Sequence, residues 1–379
     1  MQEPRLPQET LVEIIKYLKP TLRVMLVSKW FTAQILDYCI ESYTFRYADE
    51  CSPLNVKKFS NARDIIIQPD KFTYNINPIS LTLGCSATVS LDYLIGMSRL
   101  TSLNSHVTEI IGVSKLTNLR SLRVHGSEPL NGLMLDELKL FAGTPSPINM
   151  SSLKYLALND TKAPELTNIQ LDTLILVNTA IPHSYMCSTR SLTFLNASWP
   201  CIPCEEFMNL TKLESLTTHS TPGSVIAKLT TLKHLYITRS NITGDHLRGL
   251  MLLSLNFQVP DKKIVCAHMT QLHTLMTCGN AVSDNDIKHL TSLTRLVLVG
   301  YPSDKSTVTD RGIAALTNLR ELQVHNNTHI TNHGVSHLKL MQKIIPTGSV
   351  LTDACVEGIY RYRYTYDGDR GGRISTSFT

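Results

Sequence analysis

"LKHLYI", residues 232–237, returns as "LLSLNF" from Leu252 and as "LHTLMT" from Leu272. The steps from Leu232 to Leu252 and on to Leu272 are equal, and each copy places apolar side chains at its first and fourth positions. Working toward the N-terminus, the pattern recurs as "LESLTT" at Leu213, "LTFLNA" at Leu192, "LDTLIL" at Leu171, "LKYLAL" at Leu153 and "LRSLRV" at Leu119. Toward the C-terminus it recurs as "LTRLVL" at Leu293 and "LRELQV" at Leu319. Most copies start roughly 20 residues after the last, a period typical of stacked repeats. The step lengthens from Leu293 to Leu319 and is longest from Leu119 to Leu153. That longest interval reads as an insertion. Weaker copies stand at "ARDIII" (residues 62–67) and "NPISLTL" (residues 77–83).

The last two apolar positions of L-x-x-L-x-L are two apart, so a short strand turns both to one side and their neighbours to the other. One such strand buries almost nothing. Stacked on copies of itself, it shares an apolar column and a parallel ladder. The chain therefore resembles a leucine-rich repeat solenoid, an α/β fold with a curved parallel sheet and with turns and short helices on the convex side. The resemblance is strong over residues 95–346. An irregular stretch, 46–94, precedes it, and 347–379 is expected to hold a last partial repeat and a flexible tail. The family usually places Asn three residues after the third apolar position. Asn280 and Asn327 keep it, while Ser127, Thr161, Thr179, Thr221 and Ser240 replace it with a hydroxyl that can still bond a turn. The stretch from Leu171 to Leu252 is accordingly expected to be less regular.

Between the strands, Pro182, Pro200, Pro203 and Pro222 predict short turns rather than helices. Later units instead read "SDNDIKHL", "VTDRGIAAL", "ITNHGVSHL" and "LTDACVEGI". Ser283, Thr309, Thr331 and Thr352 are helix N-cap candidates, and Asp284, Asp310 and Asp353 suit the positive end of a helix dipole. Ile287 with Leu290, Ile313 with Leu316 and Val335 with Leu338 share an inward face.

Residues 1–45 are of another kind. Leu11, Ile14, Ile15 and Leu18 follow helical spacing, and Pro20 ends that helix. A second helix follows Thr21, with Leu22, Met25, Leu26 and Trp30 on one stripe and Val24, Val27 and Phe31 on another. Ile35, Leu36 and Cys39 form a third apolar segment. About forty residues cannot enclose two apolar faces. One face is left over, and such a patch points to a partner.

The order and spacing of Leu6-Pro7, Glu9, Leu11, Ile14, Leu18, Leu22 and Val27-Ser28-Lys29-Trp30 resemble the F-box. Two departures stand out: the connection "KP" then "TLRV" is short, and Ser28 lies where cysteine is frequent. The resemblance implies a small three-helix module that docks on the S-phase-kinase-associated adaptor of cullin-RING (SCF-type) ubiquitin ligases. Leu6, Pro7, Leu11, Ile14, Leu18, Leu22, Val27 and Trp30 would make the contact. The repeats would then hold an unidentified protein target. The alternative is a recognition scaffold whose N-terminal helices only cap the repeats.

Positions three and five of each repeat build the face on which a target would sit. Arg123, Tyr155, Phe194, His234, Tyr236 and Arg295 occupy these positions and belong to residue types that carry binding energy. No G-x-S-x-G elbow, phosphate loop or H-E-x-x-H occurs, so neither catalysis nor a cofactor is expected. "CIPC" (Cys201 to Cys204) is a lone pair of thiols where a structural zinc needs four ligands. His325, His329, His333 and His337 recur every fourth residue, but Gly334 and the strand ending at His325 put them on different elements, so no metal site is expected. Nine scattered cysteines, an opening "MQEPRLPQET" unlike a signal peptide and no apolar run of spanning length suggest an intracellular chain, cytoplasmic with the nucleus open. A net charge of +5 with 18% charged residues favours neither a membrane nor nucleic acid. "GTPSP" (Gly143 to Pro147) reads as a loop that could accept phosphate at Thr144 or Ser146. The Arg/Tyr-rich end "YRYRYTYDGDRGGRISTSFT" is weak ground for RNA binding.

Overall fold

A computed structural model describes residues 42–45, 63–67, 76–84, 91–106, 112–125, 129–130, 132–143, 147–162, 164–167, 169–179, 191–197, 206–219, 221–238, 241–258, 263–278, 280–300, 307–351, 360–365 and 373–377. The three-helix reading of the N-terminus, "CIPC", Thr144, Ser146 and Thr352 lie outside the described residues. The chain divides into two units, residues 1–171 and 172–379.

In the first unit, β1 (Ser42–Phe45), β2 (Asp64–Ile67), β3 (Ser80–Leu83), α1 (Leu91–Ile95), β4 (Ser102–Ser105), β5 (Ser121–His125), β6 (Glu137–Gly143), β7 (Ile148–Asn149), β8 (Tyr155–Thr161) and β9 (Leu166–Thr167) follow in order. β1 to β6 and then β8 pair side by side, all parallel, while β7 pairs with β9. Like positions face like: Leu81, Leu103, Leu122, Leu138 and Leu156 stand in register, each 1% exposed or less. Burying each side chain in such a column contributes about 1.5–3 kcal/mol. This column is the unit's core.

The interval read as an insertion is two repeats. "LDELKL", residues 135–140, supplies β6, and Leu135, Leu138 and Leu140 are buried like their counterparts. The step from Leu119 to Leu135 is shorter than the expected period, which hid the repeat. The weak copies at 62–67 and 77–83 are strands β2 and β3.

The second unit holds β10 (Thr173–Val177), β11 (Phe194–Ala197), β12 (Ser215–Thr218), α2 (Gly223–Ile226), β13 (His234–Thr238), α3 (Gly244–Leu247), β14 (Ser254–Gln258), β15 (Thr274–Cys278), α4 (Asp284–Ile287), β16 (Arg295–Val299), α5 (Asp310–Ile313), β17 (Glu321–His325), α6 (Asn332–Val335), β18 (Lys343–Thr347), β19 (Tyr360–Thr365) and β20 (Arg373–Ser377). β10 to β19 pair in chain order and parallel, and β20 returns antiparallel on β19 within the segment expected as a tail. The register does not slip between β10 and β14, so the expected irregularity is absent from those strands. A further device ties the strands. The hydroxyls of Thr193 and Thr294 each donate to a backbone carbonyl of the preceding repeat, Asp172 at 3.1 Å and His273 at 3.0 Å.

Pro222 departs from expectation. It precedes a single helical turn, α2, because its backbone (φ −61°, ψ 142°) enters a helix without strain. Thr309 and Thr331 cap α5 and α6 by accepting from the N–H groups of Arg311 and His333, both at 3.2 Å. The inward pairs Ile287/Leu290, Ile313/Leu316 and Val335/Leu338 are buried. The aspartates do more than favour a dipole. Asp284 accepts from Thr309 N (2.7 Å) and Oγ1 (2.6 Å), one repeat on. Asp310 accepts from Thr331 in the same way, at 2.7 and 2.6 Å. Gly312 and Gly334 make room for these carboxylates: a Cβ on Gly334 would meet the Asp310 carboxylate and lie 2.8 Å from its Cγ.

The turn after the strand has its own rule. Ala142, Asp160, Asn178 and Asn326 all adopt positive φ, near 50°, and all are the eighth residue of their repeats. Asn and Asp accept this region at modest cost, whereas Ala142 carries the ordinary penalty of an L side chain. Asn327, next along, is 1% exposed and fulfils its expected role. Its carbonyl accepts from His329 N (2.7 Å) and Ile330 N (3.1 Å), and its amide donates to Val308 O at 3.0 Å. Two of the hydroxyls that replace it also bond: Thr221 pairs with Thr218 at 2.6 Å, and Thr179 donates to Val177 O at 3.0 Å.

Candidate protein-binding faces of the strands

Strand residues that do not enter the core stand in rows on the opposite face, because the parallel register stacks equal positions. In the first unit, the row at position three runs Ser102, Ser121, Glu137 and Tyr155. Position five runs Asn104, Arg123, Lys139 and Ala157. Position seven aligns His125, Phe141 and Asn159. Two predicted residues, Arg123 and Tyr155, therefore share one face.

What links them was not read from the sequence, since it lies in the unrecognised repeat on β6. The Arg123 guanidinium sits over the Phe141 ring at 4.5 Å, and His125 stacks on that ring at 5.3 Å. Lys139 Nζ lies 5.0 Å from the Tyr155 ring centre and 2.6 Å from Glu137 Oε1. Ser121 donates to the other Glu137 oxygen at 2.9 Å. Burial pushes the Glu137 pKa up, but the bonds from Lys139 and Ser121 and the Lys139 charge outweigh it and hold it below the usual range. His106 is held below its ordinary value by burial first, then by the charges of Arg123 and His125.

The second unit offers a different surface. Phe194, Ser215 and His234 are neighbours at position three, and Asn196, Thr217, Tyr236, Asn256 and Met276 at position five. Phe194 and His234 are two strands apart, about 9–10 Å across the sheet. Tyr236 is half-buried, and the Asn256 amide reaches Met276 Sδ at 3.1 Å. Arg295 stands three strands beyond His234, and an ion pair at 3.2 Å already engages it with Glu321, which also binds Lys343 at 3.0 Å. For Glu321 burial raises the pKa, yet the bonds from Gln323 and Lys343 and the charges of Arg295 and Lys343 bring it down. Phe194, His234 and Tyr236 thus form one neighbourhood, from which the structure separates Arg295.

The histidines behave as different elements would. His325 ends β17, half-buried, and burial lowers its pKa. His333 is on α6, and His337 contacts the Ala314 carbonyl at 3.0 Å. Among the described residues, no group of three or more His, Cys, Asp or Glu is placed to hold a metal. None of their helices is long and apolar enough to cross a membrane. Cys266 and Cys278 are buried thiols, and burial pushes Cys266 up to about 12, which leaves it unreactive. The adaptor-contact residues Leu6, Pro7, Leu11, Ile14, Leu18, Leu22, Val27 and Trp30 are outside the described residues.

No family model matches the chain, and no curated protein matches it. Among solved structures it is similar to a leucine-rich repeat protein of Leptospira interrogans, at 15% identity over 82% of this chain and 95% of that one, with a TM-score of 0.47. It is also similar to an internalin of Listeria monocytogenes, at 17% identity over 84% of this chain and 90% of that one, with a TM-score of 0.45. A third is a plant peptide hormone receptor, RGFR1 in complex with RGF2, at 15% identity over 81% of this chain and 62% of that one, with a TM-score of 0.38.

Proposed function

We propose that this chain is a non-catalytic recognition protein that binds a protein target on its strand faces and delivers it to a cullin-RING ubiquitin ligase through residues 1–45. The observation that carries the recognition half is the division of labour within each strand. Leucines fill the core on one side, while Arg123, Lys139, Tyr155, Phe194, His234 and Tyr236 stand on the other, where folding does not require them. The ligase half is supported by the order and spacing of Leu6-Pro7, Leu11, Ile14, Leu18, Leu22 and Val27 to Trp30, together with the apolar area that so short a segment cannot bury. The receptor's contribution would be proximity: holding target and ligase in one assembly.

Two experiments test the halves separately. Full-length protein is mixed with purified S-phase-kinase-associated adaptor, and the pair is resolved by size exclusion. The wild type should co-elute, and a Leu6→Ala/Pro7→Ala variant with unchanged circular dichroism should not. Equal co-elution of both would remove the ligase half and leave the scaffold reading. For the target half, Tyr155→Ala with Tyr236→Ala should weaken capture of whatever partner co-purifies from extract, without altering the urea midpoint. Undiminished capture would discard the strand faces as the site.

A further inference from the structure

We propose that the outward face of β4, β5, β6 and β8 docks an extended acidic segment of the partner, whose Asp and Glu carboxylates meet Arg123, Lys139 and His125. The proposal rests on the reading that this face takes a protein ligand, and it names that ligand's chemistry. The argument is charge and geometry. Arg123 and Lys139 are register neighbours at position five, about 4.8 Å apart across the ladder. His125 follows two residues after Arg123 on the same strand face. Basic groups thus occupy adjoining places on adjoining strands.

Among the described residues, Glu137 offsets Lys139, but Arg123 has no such partner. Glu137 is engaged by Lys139 and Ser121, and no carboxylate among the described residues pairs with Arg123. Its guanidinium is held by a ring rather than by an acid, so it stays positioned with its charge uncompensated. A guanidinium that folding leaves without an acid, beside a lysine that Glu137 holds in place, favours an anionic partner.

The same contacts decide which anion. Nucleic acid bound on a strand face stacks its bases on open aromatic rings. Here the Phe141 ring is covered by Arg123 and His125, and Tyr155 by Lys139. The rings serve as footings for cations, and Glu137 would repel a continuous phosphate chain. An apolar segment fits no better: Ile95, Met134, Met251, Val265, Leu340 and Val350, the exposed large apolar residues among those described, are not on this face. A peptide has what remains, with spaced carboxylates and a neutral backbone between them.

A random peptide library panned on the immobilised full-length chain supplies the test, with Arg123→Gln/Lys139→Gln in parallel. Enriched peptides should be rich in Asp and Glu. The affinity of one of them, read by fluorescence anisotropy, should fall about tenfold or more in the double variant. It should be unchanged in Arg248→Gln, an exposed arginine of the second unit paired with Asp245 three residues before it. Raising salt from about 50 mM to about 500 mM should weaken the wild-type complex many-fold, a readout that needs no variant. Apolar or basic peptides that depend on Arg123 and Lys139 would overturn the acidic chemistry and spare the strand face as a protein site. Enrichment indifferent to the double variant would overturn both. Salt-insensitive binding, or tighter binding of a single-stranded oligonucleotide of equal charge, would overturn the proposal alone.

Discussion

Replacing Gly334 by alanine sets a local rule against a contact between repeats. Gly334 lies inside α6, and alanine within a helix normally stabilises by about 0.5–1 kcal/mol over glycine. The new methyl, however, would fall on the Asp310 carboxylate. That carboxylate accepts two bonds from Thr331, at 2.7 and 2.6 Å. Either the carboxylate swings away and loses them, at about 1–3 kcal/mol for groups left unpaired, or the helix shifts, at a similar overpacking cost. Net of propensity, the variant should lose about 0.5–2 kcal/mol, which moves a urea midpoint by roughly 0.2–1 M. Gly249→Ala is the control, because a methyl there meets nothing within 4 Å and should be neutral or slightly stabilising. In an Asp310→Ala background the Gly334→Ala penalty should largely vanish, a coupling that a double-mutant cycle reads directly. The reasoning fails if Gly334→Ala is as harmless as Gly249→Ala, or if its penalty is unchanged without Asp310.

Ala142→Gly should raise the urea midpoint, by about 1 kcal/mol in stability, because Ala142 holds φ 54° that glycine adopts freely; a loss of stability would refute the turn rule. Leu138→Ala should cost about 2–5 kcal/mol, like Leu122→Ala, since both are fully buried in one register; a loss under about 1 kcal/mol would restore the insertion. Glu321 has a depressed folded pKa, so its contribution is complete above the ordinary glutamate value and disappears as pH falls through the folded one. The stability gap between wild type and Glu321→Gln should therefore narrow between neutral pH and about pH 3, and a gap constant over that range would contradict the ion cluster with Arg295 and Lys343.

The candidate site was half legible. Arg123, Tyr155, Phe194, His234 and Tyr236 follow from counting positions within each repeat. Lys139, Glu137 and Phe141 did not, since "LDELKL" begins short of the usual period after Leu119. A search for the bare L-x-x-L-x-L pattern without a fixed period would have found them. Arg295 shows the converse: its place on the face is readable, but its engagement by Glu321 depends on which strand lies beside it.

From the amino-acid order alone came the repeat, its strands, the inward leucine columns and the caps at Thr309 and Thr331. These need only the alternation of a strand and the reach of a side chain to a backbone two or three residues away. Tertiary structure alone decided that Asp284 and Asp310 bind the following repeat, that Gly312 and Gly334 clear their way, and that Arg123 rests on Phe141 while Lys139 covers Tyr155. Those contacts join residues about one repeat apart along the chain, and only the stacking register brings them within a few ångströms of each other.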